Sequence, residues 1–282
     1  MPHCQITENG GCMTTKNQKA KQSGKNTTWA DNIPHWVWLC ISLAVALGLW
    51  TLLSVLPATS RAFPNAIKVF GSIKTMIDRG KLFGDIASSL RSVTVGYILG
   101  FVTAVPVAFL MAWYKPVRYV IEPWIQFIRN IPPLAYVPLI VIAAGVGFKP
   151  QVIVIWIACF LTMCITIFQG VINVDETLIK AARVLGAKDR DIFVRVIFPA
   201  TTPFILTAVR LGASVALTTL IAAESTGATA GLGMRIRSLN NSFESAPMLL
   251  YVILIGIIGI CVEKLIKYLE RKLTSWQEKR EI

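Results

Sequence analysis

"LIKAARVLGAKDRDIFVRVIFPA", residues 178–200, is a charged stretch set between two long apolar segments. Extended backward to Asp175 it reads DETLIKAARVLG, in which Leu178, Ile179, Ala182 and Leu185 recur at helical spacing. Asp175 and Glu176 suit the positive end of a helix, and Gly186 suits a left-handed cap at its C-terminus. The spacing predicts a helix of about ten residues ending there. A second helix opens in AKDRDIFVRVIF, where Ile192, Phe193, Val196 and Ile197 lead toward Pro199 and back into apolar sequence. Two helices this short cannot bury their apolar stripe alone. An exposed stripe of that kind requires a partner.

The segments on either side set the class. Of 282 residues, 54% are hydrophobic and 15% charged, a balance that a water-soluble surface cannot accommodate. The expectation is an all-α, polytopic membrane protein with about six spans. These are 36–56, 93–113, an interrupted span within 119–148 broken by Pro132, Pro133 and Pro138, then 151–171, 203–223 and a short one at 247–262. The short last span puts Glu263 and Lys264 at its interface. Residues 57–92 are expected as an external amphipathic segment, with Ile67, Phe70, Ile73 and Ile77 on one face. A five-helix core then fills 93–267, and its 175–199 loop projects from the membrane. Residues 1–35, polar and carrying Lys16, Lys19, Lys21 and Lys25, read as a disordered tail, and 268–282 as a second tail. The first apolar run is too long for the hydrophobic core of a cleaved signal peptide.

Lys and Arg are concentrated in the two tails, the 114–122 connection and the 172–199 loop. By the positive-inside rule both termini and the 175–199 loop are cytoplasmic, in a multi-pass protein. This bias and the attraction of acidic lipid account for the net charge of +13, so nucleic acid is not an expected partner. The six cysteines fall at no metal-ligand spacing, and both histidines, His3 and His35, stand in or beside the N-terminal tail. A catalytic triad or metal centre inside the membrane therefore has no ligands, which disfavours an enzyme. Ionisable residues at membrane depth are functional candidates by default. Arg129 and Asn130 flank the Pro132–Pro133 break, Arg210 lies inside the fifth span, and Glu224 closes it before STGATAGLG. Each has two readings: Arg129 faces a pathway or reaches to the interface, Arg210 faces a pathway or pairs with another span, and Glu224 gates the mouth or caps the glycine-rich turn. Gly227, Gly231 and Gly233 are expected to let that outer loop fold back.

The order Ala181-Ala182, Gly186, Val196, then Phe198-Pro199 resembles the cytoplasmic "EAA" loop of the permeases of binding-protein-dependent ABC importers. The leading acid of that motif is Lys180 here, and its later apolar positions are Val196 and Phe198. EPWIQFIRNIPPLAYVPL (122–139), LIAAESTGATAGLG (220–233) and LERKLTSWQEK (269–279) are similar to the taurine, aliphatic sulfonate, nitrate and bicarbonate branch. The resemblance implies the type I importer permease fold in a bacterial inner membrane, as a dimer of two permease copies. It implies two ATPase subunits below and a periplasmic or lipid-anchored substrate-binding protein above. Lys180, Ala181, Ala182, Leu185, Gly186, Val196, Phe198 and Pro199 would then form the loop that couples to the ATPase. The chain has no G-x-x-x-x-G-K-[ST] phosphate loop. It is thus expected to bind no cofactor itself, ATP and Mg being used by the partner.

An ion-coupled secondary transporter is the rival reading, but it would place carboxylates near mid-span, and the six expected spans hold none there. Within the ABC reading the solute is an anion such as taurine, another sulfonate, nitrate or bicarbonate, with a thiamine-precursor pyrimidine as the alternative.

Overall fold

A computed structural model describes residues 34–57 and 59–273. Of the tails expected over 1–35 and 268–282, residues 1–33 and 274–282 lie outside the described residues, while His35 and 268–273 are helical. The described residues are helical, without strands, and fall into two units, 1–56 and 57–282. The first contains α1 (His35–Val55), which follows Pro34 and is long and apolar enough to cross a membrane.

The second unit begins with α2 (Ala66–Asp78), whose first turn is capped by Asn65 accepting from the Ile67 amide at 3.3 Å. α3 then runs unbroken from Leu82 to Trp113. The boundary expected between 92 and 93 falls inside this helix. No glycine or proline separates Leu82–Ser92 from the apolar run, and polar Asp85, Ser89 and Ser92 are buried rather than spread on a surface face. α4 (Lys115–Arg129) and α5 (Pro133–Ala144) make up the interrupted span and meet at 102°. Pro132 and Pro133 have no N–H to donate, so the helical ladder cannot cross the break. α6 (Phe148–Ile172) is followed by the short α7 (Glu176–Val184).

The expected second loop helix and fifth span form one continuous rod. α8 (Asp189–Ile192) passes through a π turn, Phe193–Ile197, into α9 (Phe198–Gly227). In the π turn the Phe198 amide donates five residues back to Phe193 O. Such an offset marks a place where an α-ladder has been adjusted, here just ahead of Pro199 and Pro203. α10 (Leu232–Asn241) and α11 (Ser245–Leu273) complete the chain. α11 is much longer than the short sixth span expected, and Glu263 lies within it, paired with Lys267 one turn on at 2.6 Å.

The core sits on α6. On one side α3 presents Ser92, Gly96, Gly100, Ala104 and Ala108, all buried and all four residues apart. On the other, α9 presents Ala208, Gly212 and Ala216 at the same interval. Small residues at this spacing allow helix backbones to approach closely, which is how helices associate where lipid supplies no hydrophobic drive. The fit is tight: a Cβ added at Gly96 would stand 2.8 Å from the Ile155 side chain, and one at Gly100 2.6 Å from Cys159 Cβ. Ser92 Oγ donates to Gln151 Oε1 at 2.6 Å across the same seam. α5 joins from the side, its Val137 buried against Val154 of α6 and Ala223 of α9.

Gly100→Val should lower stability by about 1–3 kcal/mol through overpacking against Cys159. Gly256→Ala on α11, where a Cβ meets nothing within 4 Å, should be tolerated. Thermal unfolding in detergent, followed by tryptophan fluorescence, separates the two, and equal melting temperatures would contradict the packing described.

Candidate functional site

Three places gather the residues singled out from sequence. The first is the connection between α6 and α9. Asp175 caps α7 by accepting from the Thr177 amide at 2.8 Å. That bond is the main reason its carboxyl titrates below the ordinary carboxylate range. Lys180 pairs with Glu176 at 2.9 Å, one turn earlier, and the hydrogen bond raises the pKa of the amine and lowers that of the acid. The positive charge that replaces the motif's acid is thus balanced on the same exposed face.

The far end of α7 is a Schellman motif. Gly186 has φ +81°, its amide donates to Arg183 O, and the Ala187 amide donates to Ala182 O, both at 3.0 Å. The apolar stripe splits there. Ile179, Ala182 and Ala187 pack against the core, while Leu178, Ala181, Val184 and Leu185 are exposed, the last two at 87%. Val196 is half-buried, and Phe198 and Pro199 are exposed at the start of α9. Phe198 stacks on Phe109 of α3 with centroids 5.8 Å apart, and Phe193 meets Phe109 and Trp113 edge-on at 5.2 and 5.6 Å. The loop is therefore tied to both helices that flank α6.

The second place is the broken span. Arg129 and Pro133 line a cavity of about 230 Å³ together with Tyr136 of α5, Ala158 and Thr162 of α6, and Thr218 and Thr219 of α9. Asn130 does not reach it; its side-chain amide turns back to donate to Gln126 O at 2.9 Å and closes the end of α4. Pro132 precedes α5 as its N-cap and does not line the cavity either. Ala158 and Thr162 stand at the middle of the 25-residue α6. This places Arg129 beside the centre of a span rather than beside its end.

Arg210 and Glu224 form no part of that cavity. Arg210 pairs with Glu270 of α11, so the pairing reading describes it. Glu224 is only 1% exposed and stands near the C-terminal end of α9. Its Oε1 accepts from Ser89 Oγ and its Oε2 from the Gly233 amide, both at 2.7 Å. The carboxylate accepts from an amide in the first turn of α10. A Cβ at Gly231, where φ is +132°, would collide with this carboxylate, which is why the turn requires glycine there.

Around Glu224 lies a polar cluster that sequence reasoning missed. Asp85, 2% exposed, accepts from Arg235 Nε at 2.8 Å, Tyr251 Oη at 3.2 Å and the Gly231 amide at 3.2 Å. Ser89 Oγ also accepts from the Leu232 amide at 2.8 Å. The hydrogen bond to Asp85 is the chief cause of a raised Arg235 pKa. These groups join α3, α9, α10 and α11 at one end of the bundle. Asp85 in an amphipathic run and Arg235 in a polar one carry no local signal of pairing across 150 residues. Among the described residues no cluster of His, Cys, Asp and Glu could hold a metal ion.

Long apolar helices, one broken span and a short capped helix with an exposed apolar face give the chain the architecture of a polytopic membrane protein. Residues 96–275 match the family described as "Binding-protein-dependent transport system inner membrane component". The chain belongs to that family: it is the permease of an ABC importer, a multi-pass integral membrane protein and a transport component rather than an enzyme. Membership implies an ATPase and a substrate-binding protein as partners. A Brucella abortus relative, named "Probable ABC transporter permease protein", is 44% identical over 85% of this chain and 95% of its own. The taurine transport system permease protein TauC of Escherichia coli is 31% identical over 91% and 96%. The nitrate import permease protein NrtB of Leptolyngbya laminosa is 27% identical over 85% and 88%. In fold, the chain is similar to a solved amino acid ABC transporter, with TM-score 0.60 at 20% identity over 71% of this chain and 97% of that one. It is likewise similar to the MetNI methionine ABC transporter in inward-facing form, with TM-score 0.58 at 18% identity over 68% and 96%.

Arg235→Ala would leave Asp85 buried and unpaired, at a cost of about 3–5 kcal/mol. The double variant Asp85→Asn/Arg235→Gln should recover part of it. Unfolding in detergent checks both, and a neutral Arg235→Ala would mean that the pair does not brace the bundle.

Proposed function

We propose that this permease passes a small solute with an anionic oxygen-bearing group, a sulfonate such as taurine or else an anion such as nitrate or bicarbonate, from a binding protein to the cytoplasm, driven by a separate ATPase. Two copies of the chain form the membrane dimer. Both termini and the 175–199 loop face the cytoplasm, where the loop meets one ATPase subunit per copy. Relatives named for taurine and nitrate transport support the anion class.

The exposed stripe of α7 supports the coupling reading and carries it. Leu178, Ala181 and Leu185 leave an apolar face open, while Ile179, Ala182 and Ala187 bind the other face of the loop to the core. Such a helix serves as a handle. A partner that grips the open face and moves it shifts the packed face as well, and with it the ends of α6 and α9. The Schellman cap keeps the handle at a set angle, because Gly186 adopts a backbone conformation that a β-branched residue resists. The aromatic contacts of Phe193 and Phe198 with Phe109 extend the same linkage to α3.

Leu178→Glu combined with Leu185→Glu should abolish co-purification of the ATPase from detergent extracts while the permease stays in the membrane. Gly186→Val should retain ATP hydrolysis by the assembled complex but reduce the transport it drives by at least about tenfold, as expected when an interface shifts by 1.4 kcal/mol or more. An ATPase that stays bound to the double variant would overturn the assignment of α7 as the coupling helix.

A further inference from the structure

We infer that the cavity at the broken span, lined by Arg129, Pro133, Tyr136, Thr162, Thr218 and Thr219, is an anion-binding subsite for a small, singly charged oxyanion head group. The inference deepens the anion-translocation reading above and rests on it for its place in transport.

Four observations converge on the same space. The cavity, at about 230 Å³, is far larger than the ~10–15 Å³ that one water requires. Its wall includes the centre of α6, so it lies near mid-membrane, where an unpaired charge is costly. Arg129, exposed in the single chain, has no ion-pair partner among the described residues, and no acidic residue lines the cavity. Glu224, which lies farther along α9, is already held by Ser89 and the Gly233 amide.

The other two observations concern the rest of the wall. Thr219, 2% exposed, carries a buried hydroxyl without a hydrogen-bond partner among the described residues. A buried hydroxyl without a protein partner is free to bind a water or an ion in the cavity it lines. Pro133, the first residue of α5, also lines the cavity, so the positive end of a half-helix opens on it. Discontinuous membrane helices bind anionic groups in this way. A guanidinium, a helix N-terminus and an unfilled hydroxyl with no opposing carboxylate select for negative charge. A tetrahedral or trigonal oxyanion presents several acceptor oxygens to these donors.

The test uses the full chain in lipid nanodiscs with Thr218→Cys, an exposed position on the cavity wall. Two thiol reagents of similar size serve as probes: 2-sulfonatoethyl methanethiosulfonate, which is anionic, and its 2-trimethylammonioethyl analogue, which is cationic. Peptide mass spectrometry reads labelling at residue 218 apart from the native cysteines. After correction for their rates with a free thiol, the anionic reagent should react at least about tenfold faster, as one guanidinium at close range would dictate. Arg129→Gln should remove that preference, Arg129→Lys should keep part of it, and added taurine or nitrate should slow the labelling. Equal rates, a preference for the cation, or a thiol that neither reagent reaches would each overturn the subsite. Uptake by the assembled importer separates the two readings. Anion-preferring labelling in a permease that moves only uncharged solutes keeps the subsite and removes the anion-transport reading. Undiminished taurine or nitrate uptake by Arg129→Gln, with equal labelling rates in the Thr218→Cys chain that keeps Arg129, does the reverse.

Discussion

The close approach of α3 and α9 to the two sides of α6 is the constraint on which the rest of this permease depends. In a bilayer the lipid tails are as apolar as the helix faces, so association has to come from fit. Gly96 and Gly100 bring the α3 backbone against Ile155 and Cys159, and Gly212 of α9 accepts the Met163 side chain where a Cβ would overlap it. These close contacts tie α3, α6 and α9 into one tightly packed unit.

Both ends of this unit carry devices that use that stiffness. At one end Asp85, Ser89, Glu224, Arg235 and Tyr251 satisfy one another and the amides that begin α10. A buried network of this kind is costly when partly satisfied and rigid when complete. At the other end the Schellman-capped α7 is locked by Ala182 and Ala187 and leaves its outer face free. Between them the α4–α5 break lets the backbone turn by 102° where Arg129 meets the middle of α6. Among the described residues, the one bent pair of apolar helices thus turns beside Arg129.

The loop was the most legible part of the sequence because its signals are local. Helical spacing, an acidic first turn and a glycine at the cap depend on neighbours within a few residues, and the structure has α7 ending before a left-handed Gly186. The proline break between α4 and α5 was legible for the same reason. Boundaries were less so. No glycine or proline stands at 92–93, and hydropathy places an edge where polarity changes, although α3 continues through it by burying Asp85, Ser89 and Ser92. The four-residue rhythm of small residues on α3 was available to a reader looking for helix contacts, whereas the pairing of Asp85 with Arg235 was not.

From sequence alone came the class of the molecule, the number and order of its apolar segments, the capped helix pair at 175–199 and the family resemblance. All of these are written in composition, short-range periodicity or ordered motifs. Tertiary structure alone decided which charged groups answer one another. It gave Arg210 to Glu270, set Glu224 as a cap on α10, and put Arg129 on the wall of a cavity. The physical reason is distance along the chain: an electrostatic partner 60 to 150 residues away leaves no periodic trace, and only the packing of α3, α6 and α9 brings those groups together or keeps them apart.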